Sequence, residues 1–119
     1  MPDKATLYHN PRCSKSRAAL ELLNQRGLNV TTVEYLKTTL DATTIKEIAL
    51  ALGLKPREMM RPGEAIYKEL NLSDNTLTEQ QLIDAMVSHP ILIERPIVVT
   101  ADGAAIGRPI DQIIELLDH

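Results

Sequence analysis

The sequence predicts an α/β domain of order β-α-β, a helical block, then β-β-α, and three observations carry that prediction. Leu28 to Tyr35 is rich in β-branched residues and follows a helix-period segment that stops at Gly27. The middle of the chain, about 41–90, is helical in pattern. Pro96-Ile97-Val98-Val99-Thr100 then forms a buried-strand pattern, and Asp102-Gly103 behind it is a strong hairpin-turn signal.

Taken in order, Ala5-Thr6-Leu7-Tyr8 is a short strand candidate, ended by the Asn10-Pro11 turn signal. Ser14 to Arg26 follows as a helix with Ala19, Leu20, Leu22 and Leu23 on its apolar side, and Gly27 stands where a C-terminal cap belongs. Leu28 to Tyr35 is the second strand. Asp41 is a candidate N-cap for a helix containing Ile45, Ile48, Ala49 and Leu52, with Gly53 as its stop. Lys55 to Leu70 holds one or two short helical turns divided by Pro62-Gly63. Thr78-Glu79-Gln80-Gln81 fits a capping box, and the helix behind it carries Leu82, Ile83, Met86 and Val87 before ending ahead of Pro90. After the hairpin, Ala104-Ala105-Ile106 is a short strand and Pro109 fits the first helical position. Ile110, Ile113, Ile114 and Leu117 repeat at i, i+3, i+4 and i+7, an amphipathic helix. This is the order of a thioredoxin-like fold with helices inserted between its two halves. A single domain is expected over 1–119, with the insertion at about 41–90. In that architecture a nucleophilic cysteine follows the first strand, and a proline before the third strand, often cis, faces it. Pro96 is the candidate.

Composition narrows the function. Apolar content is 44%, with no Phe or Trp and three Tyr, so the core is built from Leu, Ile, Val, Ala and Met. So few aromatics argue against a base-stacking nucleic-acid surface, and a formal net charge of −3 gives no general attraction to polyanions. No stretch approaches the roughly 18 apolar residues of a membrane span, and Met1-Pro2-Asp3-Lys4 lacks a signal-peptide core. One cysteine and no disulfide fit a reducing cytoplasm.

That cysteine, Cys13, lies in Tyr8-His9-Asn10-Pro11-Arg12-Cys13-Ser14-Lys15-Ser16-Arg17, directly before the first helix. An isolated cysteine is more often a small buried hydrophobe than a nucleophile. Here, however, the amide N–H groups of a helix N-terminus and the cations Arg12, Lys15 and Arg17 all favour thiolate, the reactive species. Arg95 and Arg108 both precede a proline at a strand boundary, placing them toward the same edge as the thiol, and Arg61 stands in Met60-Arg61-Pro62-Gly63. Arginine's planar fork of donors suits a tetrahedral oxyanion. A thiolate ringed by arginines therefore suits attack on the central atom of an oxyanion. No cysteine–histidine spacing suggests zinc.

The chain resembles the ArsC family, the glutaredoxin-coupled arsenate reductases, and most closely its short bacterial branch. The resemblance rests on His9-Asn10-Pro11-x-Cys13 with Ser16-Arg17, on Tyr67-Lys68-Glu69-Leu70, His89-Pro90, Glu94-Arg95-Pro96-Ile97-Val98-Val99 and Gly107-Arg108-Pro109. It implies Cys13 as the nucleophile, Arg61, Arg95 and Arg108 as oxyanion ligands, and His9 as a group that helps keep the thiol deprotonated. His9 can equally be a hydrogen-bonding residue of the turn. His89 reads as structural, at a helix end, and His119 has no functional reading. The implied reaction is attack of Cys13 on arsenate to form a cysteine–arsenic adduct, addition of glutathione, and reduction by glutaredoxin to arsenite, with no bound metal or cofactor. One departure stands out. Studied members carry a small residue before the cysteine and Gly-Thr-Ser after it, whereas this chain has Arg12 before and Ser14-Lys15-Ser16 after.

Rival readings differ in what they require. A phosphatase-like reductase needs Cys-x5-Arg, but position 19 is Ala; a dithiol oxidoreductase needs Cys-x-x-Cys, but position 16 is Ser. A monothiol glutathione-linked oxidoreductase acting on another substrate fits the Cys-x-x-Ser but not the helical insertion. A Spx-like regulator binding RNA polymerase shares the fold family but typically carries Cys-x-x-Cys. The three arginines favour the enzyme.

Overall fold

Lys4–Tyr8 (β1) and Asn29–Val33 (β2) pair in parallel, with Leu7 opposite Thr32. A parallel pair cannot close through a hairpin and needs a crossover, which Ser14–Gln25 (α1) supplies. That helix ends where glycine permits it. Gly27 has φ 75°, and Leu28 N–H reaches back to Leu23 O at 3.2 Å, turning the chain into β2. The structure, a computed structural model, describes residues 3–118. His119, which has no functional reading, lies outside them, as do the first two residues of the Met1–Lys4 stretch read above.

The chain divides into two compact units, one built from the segments up to Thr38 and from Arg95 onward, the other from Thr39–Glu94. The first holds a four-stranded sheet of order β2-β1-β3-β4. Ile97–Thr100 (β3) runs antiparallel to β1, with Val98 opposite Leu7, and Gly103–Ile106 (β4) returns antiparallel to β3. Because strand side chains alternate, Ala5, Leu7, Val98 and Ala105 share one face. Ala19 and Leu23 of α1 and Ile113 and Leu117 of Asp111–Asp118 (α5) close on that face. This is a thioredoxin-like fold.

The second unit is helical. Ala42–Leu52 (α2) begins at Asp41, whose Oδ1 accepts the Thr44 N–H at 2.8 Å, and closes at Gly53. A 3₁₀ turn at Pro56–Met59 and Ala65–Glu69 (α3) follow. Glu79–Ser88 (α4) starts in the expected capping box, Thr78 Oγ1 accepting from Gln81 N–H at 3.1 Å and Gln81 Oε1 from Thr78 N–H at 2.8 Å. The core of this unit contains Ile45, Ile48 and Ala49 of α2 and Leu82, Ile83 and Met86 of α4, all buried, together with Met59 and Leu92.

One element boundary departs from the sequence pattern. Pro109 is not the first helical residue; α5 begins at Asp111. Pro109 O accepts Gln112 N–H at 3.2 Å and Ile110 O accepts Ile113 N–H at 2.9 Å, so the entry is a pair of tight three-residue turns. Asp111 then places a carboxylate against the helix N-terminus. Among the described residues, no helix is long and apolar enough to cross a membrane.

Candidate active site

The site is built where β1 ends. His9 N–H donates to Val33 O at 2.8 Å, extending the sheet by one residue, and the chain then turns, Cys13 N–H donating to Asn10 O at 2.9 Å. Cys13 is the extended residue preceding α1, its own carbonyl accepting Arg17 N–H at 3.0 Å. The first turn of a helix carries N–H groups with no partner inside the helix. Two of these, on Ser16 and Lys15, favour the Cys13 thiolate.

Burial pushes the Cys13 thiol up, as it does any group that must ionise away from water. The N–H of Ser16, the Arg95 guanidinium, the N–H of Lys15 and the Arg108 guanidinium outweigh it, and the thiol is lowered to about 7. An ordinary cysteine titrates near about 8.5. Arg108 Nη2 stands 3.9 Å from the sulfur. Arg95 is buried enough to disfavour its charge, but its hydrogen bond to Cys13 and the nearby Tyr35 hold the proton on it, and its pKa is raised.

Backbone geometry delivers the two arginines. Arg95-Pro96 and Arg108-Pro109 are both cis peptides. Gly107 N–H donates to Pro96 O at 2.8 Å, and Arg108 Nε donates to Arg95 O at 2.8 Å, so each arginine is fixed against the other's loop. The approach demands glycine. A Cβ at position 107 would stand 2.7 Å from Ile113 Cδ1 and 2.8 Å from Pro96 Cγ. Gly107→Ala is expected to lower unfolding stability by about 1–3 kcal/mol, as overpacking does, and to raise the Cys13 pKa as Arg108 moves away. Urea unfolding with thiol titration checks both.

His9 is buried and touches Ser16, its Nδ1 2.6 Å from Ser16 Oγ. Burial lowers its pKa; Glu34 opposes that and Arg17 adds to it, so the ring is neutral at neutral pH. Asn10 N–H donates to the same hydroxyl at 3.0 Å. Ser16 is wholly buried and joins the two halves of the loop, its hydroxyl on His9 and Asn10 while its backbone N–H favours the thiolate. Sequence reasoning gave neither Ser16 nor Tyr35 a role. The available signal was chemical: a buried hydroxyl has to find a partner.

The structure thus brings Cys13, His9, Arg95 and Arg108 together in the first unit. Arg61 belongs to the second unit, where its Nη1 lies 3.0 Å from Glu94 Oε1 and its Nε 3.5 Å from Glu64 Oε2. His89 closes α4, donating its N–H to Ala85 O at 2.8 Å. Among the described residues, no three His, Cys, Asp or Glu side chains converge in a way that could hold a metal ion.

The sequence matches the ArsC family over residues 8–116. The chain belongs to the ArsC family. An uncharacterized Escherichia coli protein, YfgD, is 49% identical over 118 residues, covering 98% of this chain and 99% of that one. An arsenate reductase of Neisseria meningitidis serogroup B is 47% identical over 112 residues, covering 93% and 96% respectively. The solved structure of an arsenate reductase from Vibrio cholerae superposes with a TM-score of 0.93 at 44% identity, covering 98% of this chain and 99% of that one. This ArsC chain therefore shares its fold with those relatives over nearly its whole length.

Proposed function

We propose that the chain is an arsenate reductase drawing its electrons from glutathione and glutaredoxin. The observation that supports it best is a single thiol, lowered to about 7, with two arginine forks on its sulfur. About half of such a thiol is ionised at neutral pH. The same forks can hold the oxygens of a tetrahedral anion against it.

The Cys13 thiolate attacks arsenic, forming an S–As bond, and one arsenate oxygen leaves as hydroxide or water. Arsenic is still As(V). Glutathione adds through its sulfur with loss of a second oxygen as water. Glutaredoxin's thiolate then attacks the glutathione sulfur. A disulfide forms, the S–As electron pair stays on arsenic, and arsenic becomes As(III). Water cleaves the remaining bond to Cys13, giving arsenite and the free thiol. The chain's own residues hold and polarise the anion (Arg95, Arg108), supply the nucleophile (Cys13), and fix the loop carrying it (Ser16, His9). Arg61 enters this reading only through the resemblance. No step calls on a metal or bound cofactor, and a free reactive thiol suits the cytoplasm.

The test is arsenate-dependent NADPH oxidation in the presence of glutathione, glutaredoxin and glutathione reductase. Turnover is expected to need arsenate and all three components. Oxidation no faster than in a protein-free mixture would overturn the assignment.

A further inference from the structure

The helical unit carries a cleft of its own. α2 packs against α4, and beside their seam a space of about 500 Å³ opens, wholly within that unit. Small-molecule sites have this size and are mostly apolar, with a few polar groups at the edge. The apolar lining here is Ala49, Leu50, Leu54, Pro56 and Ile83. Ala49, Pro56 and Ile83 are buried and Leu54 is half-buried. Leu50 is 81% exposed, the most open large apolar side chain among the described residues. A single exposed leucine needs no explanation. This one continues a buried apolar surface into a concave space, so a ligand covering it would remove apolar area from water on several sides at once.

Helix period sets the rim. Lys46, Ala49 and Leu50 stand at i, i+3 and i+4 of α2, and Glu79 and Ile83 at i and i+4 of α4. Lys55 follows the end of α2 and lines the same space. Neither Lys46 nor Lys55 forms an ion pair among the described residues. Glu79 is the one carboxylate of the lining, and it lies in the first turn of α4, where the helix dipole already favours a negative charge. Gln80 is engaged, its Nε2 donating to Asp84 Oδ1 at 2.8 Å. The cleft therefore offers two cations without an anion beside an apolar floor. An inorganic oxyanion would leave that floor bare, and an apolar cation would meet both lysines.

We propose that this cleft is a binding site for a small amphipathic carboxylate, a medium-chain aliphatic acid. Its chain lies on Ala49, Leu50, Leu54 and Ile83, and its carboxylate meets Lys46 and Lys55. The inference does not rest on the reaction assigned to Cys13, because every residue of the cleft belongs to the helical unit.

The test titrates octanoate into the isotope-labelled full chain and follows the backbone amide signals. Saturable shifts are expected in α2, in the segment after it and in the first turns of α4. Butyrate, four methylenes shorter, should bind at least about tenfold more weakly, since each fully buried methylene strengthens association about fourfold. Octylammonium, of equal length and opposite charge, should bind at least about fivefold more weakly than octanoate. Lys46→Gln combined with Lys55→Gln should weaken octanoate about fivefold while leaving neutral octanol unchanged. Leu50→Asp should weaken octanoate and octanol alike, and because Leu50 is exposed the unit stays folded. No saturable shift with octanoate, or shifts centred outside these segments, would overturn the site. Octylammonium binding as tightly as octanoate, or an affinity unmoved by the double lysine variant, would overturn the carboxylate as its ligand.

Discussion

Arg95→Ala is expected to raise the Cys13 pKa from about 7 toward the ordinary thiol range and to cut arsenate turnover at neutral pH. The size follows from the bond removed. Hydrogen bonds to charged groups contribute about 1.5–3 kcal/mol, so the loss is about ten- to a hundredfold. The sign of the pH dependence follows from the thiolate's charge. A donor to an anion lowers its pKa, so deleting the donor moves the rising limb of the rate profile to higher pH. Part of the loss at pH 7 should therefore return at pH 9, and what does not return reports weaker oxyanion binding. Arg108 stays in place, because its Nε is anchored on the main-chain oxygen of residue 95 rather than on the side chain. The buried Tyr35 loses its neighbour, which costs about 1–3 kcal/mol but leaves a folded domain. Arg95→Lys keeps a charge without the planar fork and should fall between the two. Unchanged arsenate kinetics and an unmoved pH profile in Arg95→Ala would remove Arg95 from the site.

What could be seen in the chain beforehand was largely what neighbouring residues settle among themselves. The capping box at Thr78 and Gln81, the Asp41 cap and the turn at Gly27 each need only a few residues, and each forms as the pattern requires. The same holds for the cysteine's place before α1, since a strand, a proline turn and a helix start define it locally. The start of α5 was not visible. Pro109 suits a first helical turn by itself, but the loop carrying it is fixed by Gly107 against Pro96, eleven residues away in the chain. Contacts of that kind also decide the details of the site. The sulfur's bond to Arg108 spans ninety-five residues, and which of several exposed-looking arginines reaches a thiol is a property of the folded sheet. His9 illustrates the limit most clearly. Its sequence position marks it as a neighbour of the thiol, yet only the packed loop shows that burial keeps it neutral and that Ser16 stands between them.

Cys13→Ser separates binding from chemistry. A serine hydroxyl is a poor nucleophile at neutral pH, so arsenate turnover should fall by at least about 10⁴-fold, as removal of a covalent nucleophile does elsewhere. Oxyanion binding should move the other way. In the wild type the thiolate is itself the anion facing Arg95 and Arg108, and it repels an incoming arsenate while occupying donors. A neutral hydroxyl removes that repulsion and frees the forks, so calorimetry should find arsenate and phosphate bound at least as tightly as in the wild type. A variant that turns over at a rate near wild type would exclude Cys13 as the nucleophile. A variant that no longer binds the anion would show that the sulfur holds the substrate, and the arginines would then act on the thiol alone. Retained binding with lost turnover assigns the two tasks separately, attack to the sulfur and capture to the guanidinium groups.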